Sequence, residues 1–302
     1  MIGKDDLRRV VSYQFLFFCM AGSYVIYNMI VNPMTFSEYM WGYDNKYRLV
    51  GLTGYAIDLD GNLDRLENTT SVSMGVFIAL IFLIQLSLYK KSGRIIDLIK
   101  LGFLLCFEML VYSRAGLVVL GVGIAYFLLL YLKPTTLIRF ILFSILVTIG
   151  AFVFDLSEAG TLKKVTELSL VDDPRWKMVL ASLEYFSEHP LALITGIGYG
   201  EKYSELAIGY PHLESLFLTS LFSSGFLAVL LLTSHFFSVW ITAKRKYLST
   251  SKSNPYLLGI RLFVPGWFLS SFIAGNTFQT DFYFPFVYFI FICATSVTQN
   301  SE

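Results

Sequence analysis

An imidazole and a carboxylate stand two residues apart in Pro211-His212-Leu213-Glu214-Ser215, at the mouth of a long apolar run. Either group can take a proton from a hydroxyl held within hydrogen-bond reach. A carboxylate at a helix start is also favoured by the helix dipole, so plain capping is the alternative for Glu214. Three arginines, Arg48, Arg114 and Arg175, fall in polar segments or a tight turn between apolar runs. A guanidinium grips phosphate oxygens two at a time through its planar fork. The bland alternatives are a turn residue snorkelling to water at Arg114 and an exposed helix residue at Arg175.

Other polar groups are secondary. Glu108 lies inside an apolar stretch, where an ionisable group is expensive, and is read as an ion-pair partner that orients Arg114. His189, just before Pro190, is read as a cap on the end of a helix. Gly198 belongs to Gly196-Ile197-Gly198-Tyr199-Gly200, a turn whose backbone can approach a ligand closely. It has no Lys-Ser/Thr and no preceding strand, so a nucleotide loop is not expected. His235, within an apolar run, is expected to be satisfied by its neighbours. Asp58-Leu59-Asp60 has the form of a metal-holding acidic pair, but nothing around it alternates strand and helix, and metal binding is not expected. Cys19, Cys106 and Cys293 each sit among Phe, Leu and Ile and read as small buried hydrophobes. They lack the paired short spacing of a zinc site.

The elements that must position these groups are membrane helices. Of 302 residues, 55% are hydrophobic and only 15% charged, against about 25% charged in a soluble domain. The mean hydropathy is +0.62. Such a chain could not cover a water-facing surface. The net charge of +1 provides no basic field for nucleic acid.

A spanning helix needs about 20 apolar residues. About eight stretches qualify, at 11–31, 71–89, 95–112, 115–132, 137–154, 213–241, 257–275 and 278–297. The expected fold is therefore an all-α polytopic membrane protein, residues 1–302 forming one domain. Two long polar segments, 32–70 and 155–211, interrupt the spans.

Lysine and arginine in short loops stay on the cytoplasmic side. With the N-terminus inside, the inner segments collect Lys4, Arg8, Arg9, Lys90, Lys91, Arg94, Lys133, Arg139, Lys244, Arg245, Lys246 and Lys252. Both termini are then cytoplasmic, and both long segments face outward. The outer segments are net acidic, the second carrying nine acids against five bases. Their few arginines are conspicuous for that reason.

Within the second outer segment, Asp172-Asp173-Pro174 is a strong helix start. Trp176, Val179, Leu180, Leu183 and Phe186 then fall on one helical face, with Lys177, Ser182, Glu184, Ser187 and Glu188 on the other. Too short and charged to span, this helix is expected to lie in the outer interface with its apolar face in lipid or on the bundle.

The order Arg175-Trp176, His189-Pro190, Gly196-Ile197-Gly198-Tyr199-Gly200 and Pro211-His212-Leu213-Glu214-Ser215 before a span resembles the O-antigen polymerase and ligase superfamily. The resemblance extends to Tyr47-Arg48-Leu49-Val50-Gly51 and Ser113-Arg114-Ala115-Gly116, and so runs from about 45 to 297. It implies a GT-C-like glycosyltransferase. Such enzymes take a glycan from an undecaprenyl-pyrophosphate carrier at the outer face of the cytoplasmic, or inner, membrane.

On that resemblance Arg48, Arg114 and Arg175 would bind the pyrophosphate leaving group, whose charge grows in the transition state. Glu214 and His212 would be the candidate bases for the acceptor sugar hydroxyl. No cofactor or metal is implied. Membrane lipid surrounds the chain, and the resemblance implies a flippase and a chain-length regulator as partners.

Ligases of the superfamily carry a His followed by Asn, Ser or Gln, then nine residues and a Gly. Here that frame falls on Glu214-Ser215 and Gly225, with Glu where the ligase has His. The departure favours a polymerase making O-antigen, capsule or exopolysaccharide. A ligase moving glycan onto a lipid anchor is the second reading. A flippase or transporter without chemistry is the third; the repeated halves of many transporters are not seen. The chain is shorter than the superfamily's usual dozen or so spans.

Overall fold

The computed structural model describes residues 4–31, 55–57, 63–65, 69–111, 114–132, 174–198, 201–210, 213, 215–250, 254–272 and 283–296. Ten helices and one hairpin make up these residues. They are α1 (Lys4–Val31), β1 (Tyr55–Ile57), β2 (Leu63–Arg65), α2 (Thr69–Ser92), α3 (Ile95–Val111), α4 (Arg114–Tyr131), α5 (Pro174–Glu188), α6 (Pro190–Thr195), α7 (Glu201–Ile208), α8 (Leu216–Ser249), α9 (Pro255–Ser270) and α10 (Tyr283–Ser296).

Seven of the eight apolar stretches coincide with helices α1, α2, α3, α4, α8, α9 and α10. The stretch 137–154 lies outside the described residues. Two helices among those described, α2 over Gly75–Ser92 and α8, are long and apolar enough to cross a membrane. The architecture is that of a helical membrane protein.

The expected all-α class holds; a short hairpin, β1 pairing antiparallel with β2 (Tyr55 opposite Arg65 and Ile57 opposite Leu63), lies between α1 and α2. Three-residue strands leave no sequence period long enough to read.

The core is a close-packed trio, α2, α4 and α9, in which small residues let backbones touch. A side chain added at Gly116 of α4 would meet the backbone of Gly75 in α2, 2.6 Å away at its carbonyl carbon. One at Gly266 of α9 would meet Val119 Cα of α4 at 2.7 Å, and one at Gly259 would meet Ile84 Cα of α2 at 2.7 Å. In a membrane the lipid tails compete equally for apolar surface, so close backbone approach is what favours association. The interior is filled by Leu80, Ile84, Leu104, Val119, Phe263 and Trp267 among others.

These contacts also fix direction. Gly116 meets Gly75 and Gly123 meets Leu83, so α4 runs parallel to α2. Gly266 meets Val119 while Gly259 meets Ile84, so α9 runs antiparallel to both. Leu216 N–H, opening α8, donates to Ser271 O just past α9 at 3.0 Å. The start of α8, the end of α9, the start of α4 and the end of α3 therefore meet at one end of the bundle. Lys90, Tyr131, Tyr247 and Asn254 mark the other end.

Large apolar side chains remain exposed on the outward faces of α3 (Ile95, Ile99, Phe103) and α8 (Leu227, Leu230, Leu231). Bands of that kind are what a lipid environment covers. Cys106 corrects the expectation of burial: it is exposed on α3, while Cys19 is half-buried and Cys293 buried. A thiol facing hydrocarbon is still in an apolar medium, so the sequence run around it looks the same.

Candidate functional site

Helix α5 begins at Pro174, as its capping sequence predicts, and the stripe it packs on the protein is not the apolar face as a whole. Met178, Ser182 and Phe186 are buried, whereas Trp176, Leu180 and Leu183 are exposed. Ser182 sits on the polar side of the expected pattern, yet its hydroxyl is satisfied by Met178 O at 2.7 Å. An internal back-bond of this kind lets a serine be buried at small cost. Trp176, Leu180 and Leu183 thus point away from the protein, and the stripe of Met178, Ser182 and Phe186 makes the protein contact.

That contact is with α8. Phe186 and Phe222 pack with ring centroids 4.7 Å apart, and Tyr185 stacks on Phe222 at 5.9 Å. α8 is broken at Gly225, whose φ of +74° and ψ of −168° are non-helical. The break leaves Phe222 O free to accept from Ile197 N–H at 2.7 Å, in place of the next helical turn. Gly196, also at φ +74°, presses on the backbone of Ser223 and Ser224; a Cβ there would stand 2.6 Å from Ser224 N. A Cβ at Gly225 would collide with Ile194 O. Two glycines are required, one on each side of the junction.

His189 ends α5. Its ring stacks on Tyr185 with centroids 4.5 Å apart, and Nδ1 lies 3.1 Å from Tyr185 O, one of the last carbonyls of the helix. The side chain is exposed. Gly198 has φ +116°, and a Cβ there would reach only ordinary contact with the Tyr203 ring at 3.4 Å.

Beyond Leu213, Ser215 caps α8. Its Oγ accepts from Leu218 N–H at 3.4 Å, and its carbonyl accepts from Thr219 Oγ1 at 2.9 Å. Arg48, His212 and Glu214 lie outside the described residues. Arg114 and Arg175 are described by backbone alone: Arg114 opens α4, and Arg175 is the second residue of α5.

Glu108 is fully buried near the end of α3, and neither carboxylate oxygen has a hydrogen-bond partner among the described residues. Oε1 occupies the space a Gly116 side chain would need, two residues into α4 from Arg114. Among the described residues no group of three or more His, Cys, Asp or Glu gathers to hold a metal. His235 pairs through Nε2 with the hydroxyl of Tyr288, joining α8 to α10.

Glu108, the start of α4, the Ser215 cap and the docked α5–α6 pair thus share one end of the bundle. Sequence reading gives the residues of this end but not the α6 dock, because a six-residue helix after Pro190 carries too little periodicity to detect. It also passes over Arg261, a lone arginine inside the apolar stretch 257–275. An intramembrane charge is by itself a signal.

The family model described as O-Antigen ligase matches residues 99–233. This segment is of the O-antigen polymerase and ligase superfamily. The superfamily segment runs from the start of α3 into α8, and so includes Glu108, Arg114, Arg175, His189, His212, Glu214 and the break at Gly225. No curated protein sequence matches the chain. Gly225, ten residues after Ser215, is the residue at which α8 breaks to receive Ile197.

Proposed function

We propose that this chain is a polysaccharide polymerase of the GT-C class, which joins carrier-linked repeat units at the outer face of the cytoplasmic membrane. In this reading it spans the bilayer about eight times, with both termini cytoplasmic. Its donor is a glycan on undecaprenyl pyrophosphate. The observation that supports the reading best is the meeting of four elements at one end: α3 with Glu108, the start of α4, the cap of α8, and α5–α6.

The chemistry follows from what the bond asks for. Cleaving the anomeric carbon–oxygen bond leaves charge on a pyrophosphate, which fixed guanidinium groups stabilise because they need no reorganisation as the charge grows. Arg48, Arg114 and Arg175 supply that grip. Glu214 removes the proton from the incoming hydroxyl, with His212 as the alternative base. Glu in place of the ligase histidine supports transfer to a growing chain over transfer to a lipid anchor.

The deciding experiment is Arg175→Ala in a strain that depends on this gene. Surface glycan limited to a single repeat unit is the expected result. Long chains at normal abundance would refute it, and long polymer accumulating on the carrier would make the chain a ligase. Reconstitution with purified carrier-linked repeat unit separates catalysis, which yields longer products, from mere movement across the bilayer.

A further inference from the structure

Arg261 stands on the second turn of α9 at 8% exposure, at the end of the bundle away from the candidate site. Its Nε donates to the Tyr126 hydroxyl of α4 at 3.1 Å. The guanidinium carbon lies 5.4 Å from the Tyr126 ring centroid and 6.0 Å from that of Tyr247 in α8. Two tyrosine rings thus flank it in a slot between three helices. The Tyr247 hydroxyl shares a 2.9 Å hydrogen bond with the hydroxyl of Tyr131, over whose ring lies Lys90 Nζ.

We propose that this slot binds the phosphate of an anionic lipid headgroup. A guanidinium whose stem is buried while its terminal nitrogens reach the surface is poised to meet an anion there. No carboxylate meets it among the described residues. Asp97, on α3, is taken up by Gln85 Nε2 at 2.8 Å and by Ser92 Oγ. The flanking segments 133–150 and 251–253 contain no Asp or Glu, and the segment that follows α10 at this end, 297–302, has Glu302 as its one acid. Asp5 and Asp6 open α1, whose packing partners include α2, α3 and α10.

The donors are those a phosphate wants. The terminal nitrogens of Arg261 carry no hydrogen bond among the described residues. The fully buried side-chain atoms there that lack a partner are those of Glu108 and Trp240, so the Arg261 nitrogens reach an accessible surface. Two parallel N–H groups match two phosphate oxygens. Tyr126 accepts from Arg261 and keeps its own O–H to donate, and one O–H of the Tyr131–Tyr247 pair is likewise left over. Lys244, Arg245 and Lys246 lie at the same end, in the last turns of α8, and cations there draw an anionic leaflet.

The test uses the full chain in micelles doped with phosphatidylglycerol or phosphatidylcholine, with native mass spectrometry counting retained lipid. The expected result is one phosphatidylglycerol retained in preference to phosphatidylcholine. Retention should fall about ten-fold in Arg261→Gln, where the charge and fork are lost, and less in Arg261→Lys. Tyr126→Phe, which removes one hydroxyl and leaves the ring, should weaken it several-fold and serves if the arginine variants do not fold.

Inorganic phosphate separates the sources. Competition by phosphate with the lipid assigns the site to the headgroup. Thermal stabilisation by phosphate without lipid selectivity, lost in the same variants, assigns it to a free phosphate. Equal retention of both lipids with no phosphate effect overturns the proposal, as does selectivity unchanged in every variant.

Discussion

Gly196 and Gly225 sit back to back with the same φ of +74°, and the amide nitrogen of Gly196 lies 2.8 Å from where a Gly225 side chain would begin. This contact is the seam between the α5–α6 arm and the broken start of α8. It explains in physical terms why position 225 is a glycine. The backbone must be left-handed there, and nothing larger than hydrogen fits.

Replacing Gly225 with Ala imposes both a strained φ and a collision with Ile194 O. The expected loss is about 2–4 kcal/mol, from the strain of a non-glycine residue in that region and from overpacking. Thermal unfolding in detergent should show a Tm lower by roughly 3–6 °C. Gly196→Ala should cost a similar amount, and the double variant less than the sum, because both break one contact. An unchanged Tm in either single variant would contradict the seam.

Glu108 fills the space beside Gly116. Gly116→Ala meets Oε1 of Glu108 and the Gly75 backbone at once, so it should destabilise by about 1–3 kcal/mol. Glu108→Gln keeps shape and removes only charge. If Glu108 orients Arg114, that variant folds with wild-type Tm yet slows polymerisation about ten-fold, a smaller loss than Arg114→Ala. Equal activity of Glu108→Gln and wild type would make the carboxylate purely structural.

The two candidate bases can be separated by rate. Glu214→Gln should reduce the reconstituted polymerisation rate about 10²–10⁴-fold, the usual span for removing a general base. His212→Gln should reduce it by less. The reverse order would assign the base to His212.

The exposed face of α5 gives a physical test of where it lies. Trp176 is 44% exposed, with Leu180 and Leu183 beside it on the same side. In a chain whose other tryptophans are replaced by Phe, lipids brominated near the headgroup should quench Trp176 strongly, and lipids brominated at the chain end weakly. Strong quenching by aqueous acrylamide instead would put this face in water.

Much of this protein is written along the chain. Apolar runs such as 71–89 and 115–132 become α2 and α4 because a helix satisfies its own backbone wherever lipid offers no partner. Pro174 sets the start of α5 by a local rule that needs no tertiary contact. The residue types of the candidate site are equally plain, since guanidinium and carboxylate groups stand out between apolar stretches.

Other features depend on partners distant in sequence. Which stripe of α5 is buried depends on Phe222 arriving from α8, and periodicity alone gave Trp176 and Leu183 the same standing as Phe186. The break at Gly225 is decided by Ile197, whose amide replaces a helical donor. That Glu108 meets Gly116, and Arg261 meets Tyr126 and Tyr247, follows from the parallel and antiparallel directions set where small residues touch. Sequence by itself determined which segments are helices and which side chains could do chemistry, because those follow from solvation and local backbone preference. Only the tertiary structure decided which of them share an end of the bundle, because that depends on steric fit between backbones far apart in the chain.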